Sequence, residues 1–172
     1  SPDTHLQNTL SREIGISKAL TQILINRGIK NAEEAEKFLN AGPDHLLDPY
    51  LFSDMQKAVK LIKNAAKNKK RVMIFGDYDV DGLTALTLLK ETLSKIGLET
   101  VHYIPHRIKE GYGLNKNIIH FARQKEITLL ITVDCGITSF KEVDYARSAR
   151  IDIIITDHHE ILEGRIPQAH AV

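Results

Sequence analysis

Residues 1–70 carry apolar side chains at helical spacing and show no strand pattern. Three helices are predicted there, over about 17–27, over about 32–39 and from Ser53 onwards. Asn31 and Ser53 are expected to cap the second and third helices, because each is followed three residues later by Glu or Gln. We therefore expect a small helical region to occupy residues 1–70.

From residue 71 the pattern changes, and short apolar runs alternate with amphipathic segments. Strands are predicted over about 72–75, 100–104, 128–133 and 151–155, with helices over about 82–95, over 115–125 and after Ser139. Ser139 and Glu142 form another expected capping box, and a fifth strand is expected to begin at 169–171. This alternation is typical of a parallel sheet with helices on both faces. The predicted fold class is α/β, with a core over 71–172.

Acidic and histidine side chains directly follow three of the predicted strands. They are Asp77, Asp79 and Asp81 after the first strand, Asp134 after the third, and His158 and His159 after the fourth. Because ligands bind at the carboxyl ends of parallel strands, we expect these groups to lie together. Like charges about 4 Å apart repel by roughly 4 kcal/mol at an effective dielectric near 20, so shared protons or, better, divalent cations must compensate them.

The donor types indicate which cations would fit. Carboxylate oxygens with some imidazole nitrogen favour Mn²⁺ or Mg²⁺ over a structural zinc ion. A carboxylate with ligands on both sides of it suggests two ions, about 3.5–4 Å apart. The sequence therefore predicts a centre for two Mn²⁺ or Mg²⁺ ions.

Simpler interpretations exist for several of these features. Aspartates after strands also serve as turn formers and helix caps. The segment 77–82 matches the first half of an EF-hand loop, but position twelve is Leu88 and a strand precedes it, which argues against a calcium site. Cys135 has no activating base nearby in the sequence and is expected to be a small buried residue. The lysines at 57, 60, 63 and 67 fit either a solvated helix face or a basic surface facing phosphates.

Composition adds a few constraints. With 42% hydrophobic and 26% charged residues, the 172-residue chain is typical of a globular domain, and no apolar run is long enough to cross a membrane. One cysteine excludes a disulfide framework, and a cytoplasmic location is expected. The net charge of +1 means that a nucleic-acid partner must be held by a local patch or by metal ions.

The order of the motifs resembles that of the DHH phosphoesterase superfamily. The motifs are Asp-Tyr-Asp-Val-Asp-Gly at 77–82, Asp-Cys-Gly at 134–136 and Asp-His-His at 157–159. The helical preamble and the segments 47–50 and 107–114 are most similar to the single-strand-specific 5′-to-3′ DNA exonucleases of that superfamily. The resemblance implies a two-metal phosphodiesterase that releases mononucleotides from single-stranded DNA in repair and recombination. A helicase or a single-strand-binding protein is an expected further partner, and a membrane is not.

The resemblance also implies a ligand for each ion. Asp79 would bind one ion and Asp81 the other. Asp134 would bridge the two ions, and His158 would hold the second. Asp77 is a further candidate ligand.

Substrate contacts follow from the same resemblance. His159 would contact the scissile phosphate or transfer a proton. Arg107 would grip a substrate phosphate, and Tyr112 would stack on a base or bind the backbone. Members of this superfamily continue past the Asp-His-His motif, so the chain is expected to be the N-terminal part of a longer protein.

Two other functions stay open on the sequence alone. One is another enzyme on the same scaffold, such as an oligoribonuclease, a nucleotide phosphatase, a cyclic-dinucleotide phosphodiesterase or a pyrophosphatase. The other is a non-catalytic DNA-binding or scaffold module, which should have lost its acidic residues. The acidic motifs are intact here.

Overall fold

The computed structural model describes residues 3–172. It consists of two compact units, one extending to Pro49 and the other covering Tyr50–Val172. This division falls earlier than the change of pattern near residue 70, because helix α4 (Met55–Lys67) packs on the sheet of the second unit through its apolar face. The predicted helical region over 1–70 is therefore not one structural unit.

The first unit is built from three helices around a small core of Leu10, Leu24 and Ala35. The helices are α1 (Thr4–Ile14), α2 (Lys18–Asn26) and α3 (Ala32–Leu39). The second and third were predicted, and the first was missed.

Capping in this unit is only partly as predicted. Asn31 caps α3, since its side chain accepts a hydrogen bond from the Glu34 backbone N–H at 2.8 Å. The expected reciprocal bond is absent from the described residues, because the Glu34 carboxylate accepts from the Lys30 N–H at 3.0 Å instead. The capping box is therefore open on one side.

The second unit contains the predicted parallel sheet. Within residues 3–172 its four strands are β1 (Val72–Gly76), β2 (Thr100–Tyr103), β3 (Leu129–Val133) and β4 (Asp152–Thr156), in the order β2-β1-β3-β4. All neighbouring strands pair in parallel. The expected fifth strand is a single parallel bridge between Ala171 and Ile154.

Helices cover both faces of this sheet, as predicted for an α/β fold. On one face α4 and α5 (Val80–Lys95) pack against side chains such as Ile74 and Ile131. On the other face α6 (Lys116–Gln124) and α7 (Phe140–Ser148) pack against side chains such as Phe75 and Leu130. No helix in residues 3–172 combines the length and apolar character needed to cross a membrane.

Two predicted caps in this unit are wrong. Helix α4 is preceded by Asp54 and not by Ser53, and the Asp54 carboxylate pairs with Lys57 at 2.7 Å instead of capping the helix. Ser139 does precede α7, but its side chain makes no capping hydrogen bond. The helix after β1 begins at Val80, two residues earlier than predicted, because Asp79 caps it.

Candidate metal centre

The centre of the sheet forms a crevice at its carboxyl edge. Strands β1 and β3 are neighbours, while the chain leaves β1 for β2 on the opposite side. A reversal of this kind opens a crevice between the loops that follow the two strands, where ligands bind in α/β sheets. Asp77 and Asp79 follow β1, and Asp134 follows β3, so the topology places all three at this crevice.

These three residues form what we call the aspartate cluster. Each offers one carboxylate oxygen, and these oxygens lie within 4.8 Å of one another. Asp77 and Asp134 are only 5% and 8% exposed, whereas Asp79 faces solvent. The cluster therefore places two nearly buried carboxylates and one accessible carboxylate within coordinating reach of a single cation.

The start of α5 fixes the shape of this cluster. The Asp79 carboxylate accepts a hydrogen bond from the Gly82 backbone N–H at 3.0 Å, which lowers the pKa of Asp79. A Cβ atom at Gly82 would lie 2.5 Å from the backbone oxygen of Asp77. Glycine is needed there because the first turn of α5 lies directly against the loop that carries Asp77.

A second group, the histidine cluster, consists of Asp134, His158 and His159. Its ligand atoms also lie within 4.8 Å of one another. His158 Nε2 is 3.0 Å from Asp134 Oδ1. Asp134 belongs to both clusters, so the two candidate ion positions are adjacent and share one carboxylate.

Asp134 is held in a constrained state. Its backbone lies in the left-handed region (φ +61°), which few residues other than glycine, asparagine and aspartate adopt readily. Burial, followed by the nearby Asp79 carboxylate, raises the pKa of Asp134, and the contact with His158 offsets this only in part. A cation would stabilise the ionised form of this carboxylate by supplying the missing opposite charge.

Asp157 is a further residue of the candidate site, and it was not among the predicted site residues. Its carboxylate lies 2.6 Å from His159 Nδ1 and accepts hydrogen bonds from the backbone N–H groups of His159 and Ile137. Burial alone would raise the pKa of Asp157, but these hydrogen bonds outweigh it and the pKa is lowered. The place of Asp157 in the Asp-His-His motif, immediately after β4, was the available signal.

The same contact orients His159. The hydrogen bond to Asp157 raises the pKa of His159. A proton on Nδ1 that points to this carboxylate leaves Nε2 available to a cation or a substrate oxygen.

Tyr112 supports this arrangement through two contacts of its hydroxyl group. Its hydroxyl lies 3.3 Å from His159 Nδ1 and donates a hydrogen bond to the backbone oxygen of Asp134 at 3.4 Å. Burial raises the pKa of the Tyr112 hydroxyl, so it stays protonated and able to donate. The tyrosine therefore links the two loops that carry the histidine cluster.

Asp81 lies in neither cluster. Asp81 was expected to lie together with Asp77 and Asp79, but α5 begins at Val80 and Asp81 lies in its first turn. Asp81 instead lines a cleft of about 380 Å³ together with Asp134 and His158.

Arg107 lies in the loop after β2, beside the first acidic motif. Its guanidinium carbon lies 5.2 Å from the centre of the Tyr78 ring. Tyr78 stands between Asp77 and Asp79 in the sequence. Its side chain is exposed, so it can reach an anion at the entrance to the crevice.

A known protein-family model matches the part of the chain that holds both clusters. The family model described as "DHH family, N-terminal domain" matches residues 71–172, which include every residue of both clusters. The chain belongs to the DHH family. The match begins one residue before β1, where the sequence analysis placed the start of the α/β core.

Curated DHH relatives agree on a more specific group. The chain is 36% identical over 159 residues to the single-stranded-DNA-specific exonuclease RecJ of Bacillus subtilis, covering 92% of this chain and 20% of that protein. It is 34% identical over 155 residues to the same exonuclease of Escherichia coli, covering 89% of this chain and 26% of that protein. The chain therefore spans about a fifth to a quarter of the length of these relatives.

Two solved RecJ structures are similar to this chain. A crystal structure of exonuclease RecJ bound to manganese superimposes with a TM-score of 0.62 at 34% identity, over 67% of this chain and 30% of that chain. The RecJ structure from Thermus thermophilus with Mn²⁺ reaches a TM-score of 0.67 at 23% identity, over 99% of this chain and 23% of that chain, and supports the fold.

The DHH clusters of this chain suit hard divalent cations. Their donors are carboxylate oxygens supplemented by imidazole, which is a set that Mn²⁺ and Mg²⁺ accept. Two of the carboxylates are nearly buried and close to other carboxylates without an Arg or Lys ion-pair partner among residues 3–172. Divalent cations would compensate a buried group of like charges of this kind better than shared protons would.

Proposed function

We propose that this DHH chain carries the catalytic core of a metal-dependent exonuclease that removes mononucleotides from the 5′ end of single-stranded DNA. The observation that carries the proposal is the pair of ligand clusters that share Asp134 at the carboxyl edge of the sheet. The names of the RecJ relatives support the choice of single-stranded DNA as substrate. On the resemblance alone, we assign this activity to DNA repair and recombination.

Two Mn²⁺ or Mg²⁺ ions would be held by the residues of the two clusters. Asp77 and Asp79 would hold one ion, His158 the other, and Asp134 both. Asp81, which lines the cleft next to Asp134 and His158, is proposed as an additional ligand of the second ion. When bound, the ions supply Lewis acidity, which neutralises phosphate charge and acidifies water.

The protein side chains orient the substrate and move protons. Arg107 would pair with a non-bridging phosphate oxygen through its forked guanidinium. His159, whose ring is held by Asp157, would contact the scissile phosphate and exchange a proton at Nε2. Tyr112 would keep the loops of Asp134 and His159 in register, and is proposed to bind the DNA backbone only secondarily.

The experiment compares nucleotide release from 5′-labelled single-stranded DNA with and without Mn²⁺. We expect Mn²⁺-dependent release of mononucleotides and at least about a 100-fold loss in the Asp134→Asn variant, because losing the shared ligand removes several kcal/mol of stabilisation. Asp144→Asn, which changes an exposed aspartate of α7, is the matched control and should stay active. Undiminished activity in Asp134→Asn would refute the mechanism.

Substrate choice is tested with the same preparation. Duplex DNA and short RNA should be hydrolysed more slowly than single-stranded DNA that has the same 5′ end. Pyrophosphate should also be hydrolysed more slowly than single-stranded DNA. Preferred turnover of RNA or of pyrophosphate would replace the DNA exonuclease by another phosphoesterase of the family.

A further inference from the structure

Helix α4 carries a one-sided run of positive charge that the metal centre does not use. Residues 55–71 contain seven lysine or arginine side chains and no aspartate or glutamate. The whole chain has a net charge of only +1, so the remaining residues carry six more acidic than basic side chains. Positive charge is therefore concentrated on this helix and the turn that follows it.

Four of these side chains form a stripe along the helix. The α4 lysine stripe consists of Lys57, Lys60, Lys63 and Lys67, all exposed. Their spacing of three or four residues places neighbours on successive turns. The opposite, apolar face of the helix packs on the sheet, so the stripe points to solvent. At 1.5 Å per residue, the ten-residue separation between Lys57 and Lys67 extends the stripe over about 15 Å.

Three of the four lysines of the stripe lack an ion-pair partner among the residues that the structure describes. Lys57 pairs with Asp54 at 2.7 Å. Across residues 3–172, the other three lysines of the stripe form no ion pair with a carboxylate. Like charges at this spacing destabilise a helix. An anionic partner that follows the helix over several turns would relieve this repulsion.

An aromatic ring lies beside the lysines. Tyr50, Val59, Lys60 and Lys63, with Gln56, line a groove of about 430 Å³, and Tyr50 is 56% exposed. Lysines that pair with phosphates next to a ring on which a base can stack are the combination used to bind single strands without sequence preference. The groove thus suits a nucleic-acid strand better than a polyanion without bases.

The stripe also has a direction relative to the candidate metal centre. Met55, at the start of α4, lines a cavity together with Thr156 and Asp157 at the carboxyl edge of the sheet. The other end of the helix leads to Lys69 and Lys70, beside the start of β1 at the amino edge. The stripe therefore leads away from the metal centre along the length of the helix.

We propose that the α4 lysine stripe and its groove bind the phosphate backbone of the single-stranded DNA segment that extends away from the metal centre. This inference rests on the proposed exonuclease function for the identity of the strand. It adds a binding surface that lies outside both ligand clusters.

The test measures DNA binding without metal or turnover. Anisotropy of a 5′-fluorescein oligothymidylate is titrated with the chain in EDTA at several salt concentrations. Lys60→Glu/Lys63→Glu is compared with Lys90→Glu/Lys95→Glu, which makes the same charge change on exposed positions of α5. Lys60→Arg/Lys63→Arg retains the charge and shows whether the positions tolerate substitution.

We expect about tenfold or greater loss of affinity in the α4 glutamate variant only. The slope of log K against log salt should also fall by about 1.4, since each lost phosphate contact on a single strand contributes roughly 0.7. The arginine variant should bind like the parent. Tyr50→Ala should lower the affinity about fivefold without changing the slope, because stacking releases no counterions.

Three results would overturn the inference. These are equal binding by the two glutamate variants, an unchanged salt slope, or full affinity in Tyr50→Ala, which would leave only polyanion attraction. If these occur while Mn²⁺-dependent cleavage is intact, the α4 surface is refuted and the proposed function stands. If binding behaves as expected but no Mn²⁺-dependent cleavage occurs, the α4 surface stands as a site for single-stranded DNA and the proposed exonuclease function is refuted.

Discussion

At the scale of single residues, Asp134 is the most constrained residue of the candidate metal centre. It belongs to both ligand clusters, its side chain is nearly buried and its backbone is left-handed. Burial and the Asp79 carboxylate disfavour its ionised form in the absence of a cation. A bound cation would favour the ionised form, so metal binding and the ionisation of Asp134 are coupled.

We predict that Asp134→Asn weakens Mn²⁺ binding at both positions, while His158→Ala affects only the histidine cluster. Asparagine keeps the size of the side chain and tolerates the left-handed backbone, but it loses the charge. Calorimetric titration should show two ions on the parent chain and one on His158→Ala. Asp134→Asn should bind at least about tenfold more weakly at each position. Two undisturbed sites in Asp134→Asn would contradict the shared ligand.

A second residue prediction concerns Asp157. In Asp157→Asn, the pKa of His159 should fall, because the carboxylate that stabilises the protonated imidazole has been replaced by a neutral amide. Proton NMR titration of the metal-free chain measures this pKa directly. Asp144→Asn should leave the pKa of His159 unchanged. If Asp157→Asn also left the pKa of His159 unchanged, the proposed contact between Asp157 and His159 would be refuted.

At the scale of elements, the start of α5 shows how close packing shapes the aspartate cluster. We predict that Gly82→Ala lowers the free energy of unfolding by about 1–3 kcal/mol, because the added Cβ would meet the backbone of Asp77. Gly42→Ala, which adds a Cβ in open space, should have little effect. Urea unfolding of both variants provides the comparison, and equal stability would refute the steric argument.

The loop between β2 and α6, which carries Arg107, is held by Glu110. This carboxylate accepts hydrogen bonds from the Tyr103 hydroxyl at 2.6 Å and from the His106 backbone N–H at 2.7 Å, and the first of these contributes most to lowering the pKa of Glu110. A carboxyl group with a lowered pKa stabilises the fold above its unfolded pKa, and that contribution is lost as the pH falls through the folded value.

We therefore predict that Glu110→Gln costs about 1 kcal/mol of stability at pH 7. The difference from the parent chain should shrink as the solution is acidified below pH 4, where the parent carboxylate also becomes neutral. Denaturant unfolding at several pH values measures the difference in unfolding free energy between the variant and the parent chain. A difference that is constant with pH would exclude the ionised carboxylate as its cause.

At the scale of the molecule, the two compact units have separate buried cores. The sheet is packed by residues from within Tyr50–Val172, and the first unit has its own core around Leu10 and Leu24. We predict that a chain beginning at Tyr50 keeps its secondary structure and unfolds cooperatively. Far-UV circular dichroism during thermal unfolding tests this, and loss of the cooperative transition would contradict it.

The sequence was most informative where burial is continuous. The apolar runs placed β1 and β3 to within one residue, because strands covered on both faces consist almost entirely of apolar side chains. Polar contacts were less predictable. Ser139 lies at the N-cap position of α7, but its side chain makes no capping hydrogen bond. The position of Asp81 was predicted wrongly, because Asp79 caps α5 and the helix begins earlier than predicted. Helix α1 was missed although Asp3 and the four-residue spacing of Leu6, Leu10 and Ile14 signal it.

The left-handed backbone at Asp134 has a consequence for mutational libraries. If all twenty amino acids are placed at this position and sorted for folded protein, glycine, asparagine and aspartate should be enriched, because they tolerate that conformation. If the same library is sorted for phosphodiester cleavage, aspartate alone should survive. The difference between the two surviving populations would separate what the polypeptide turn demands from what the chemistry demands.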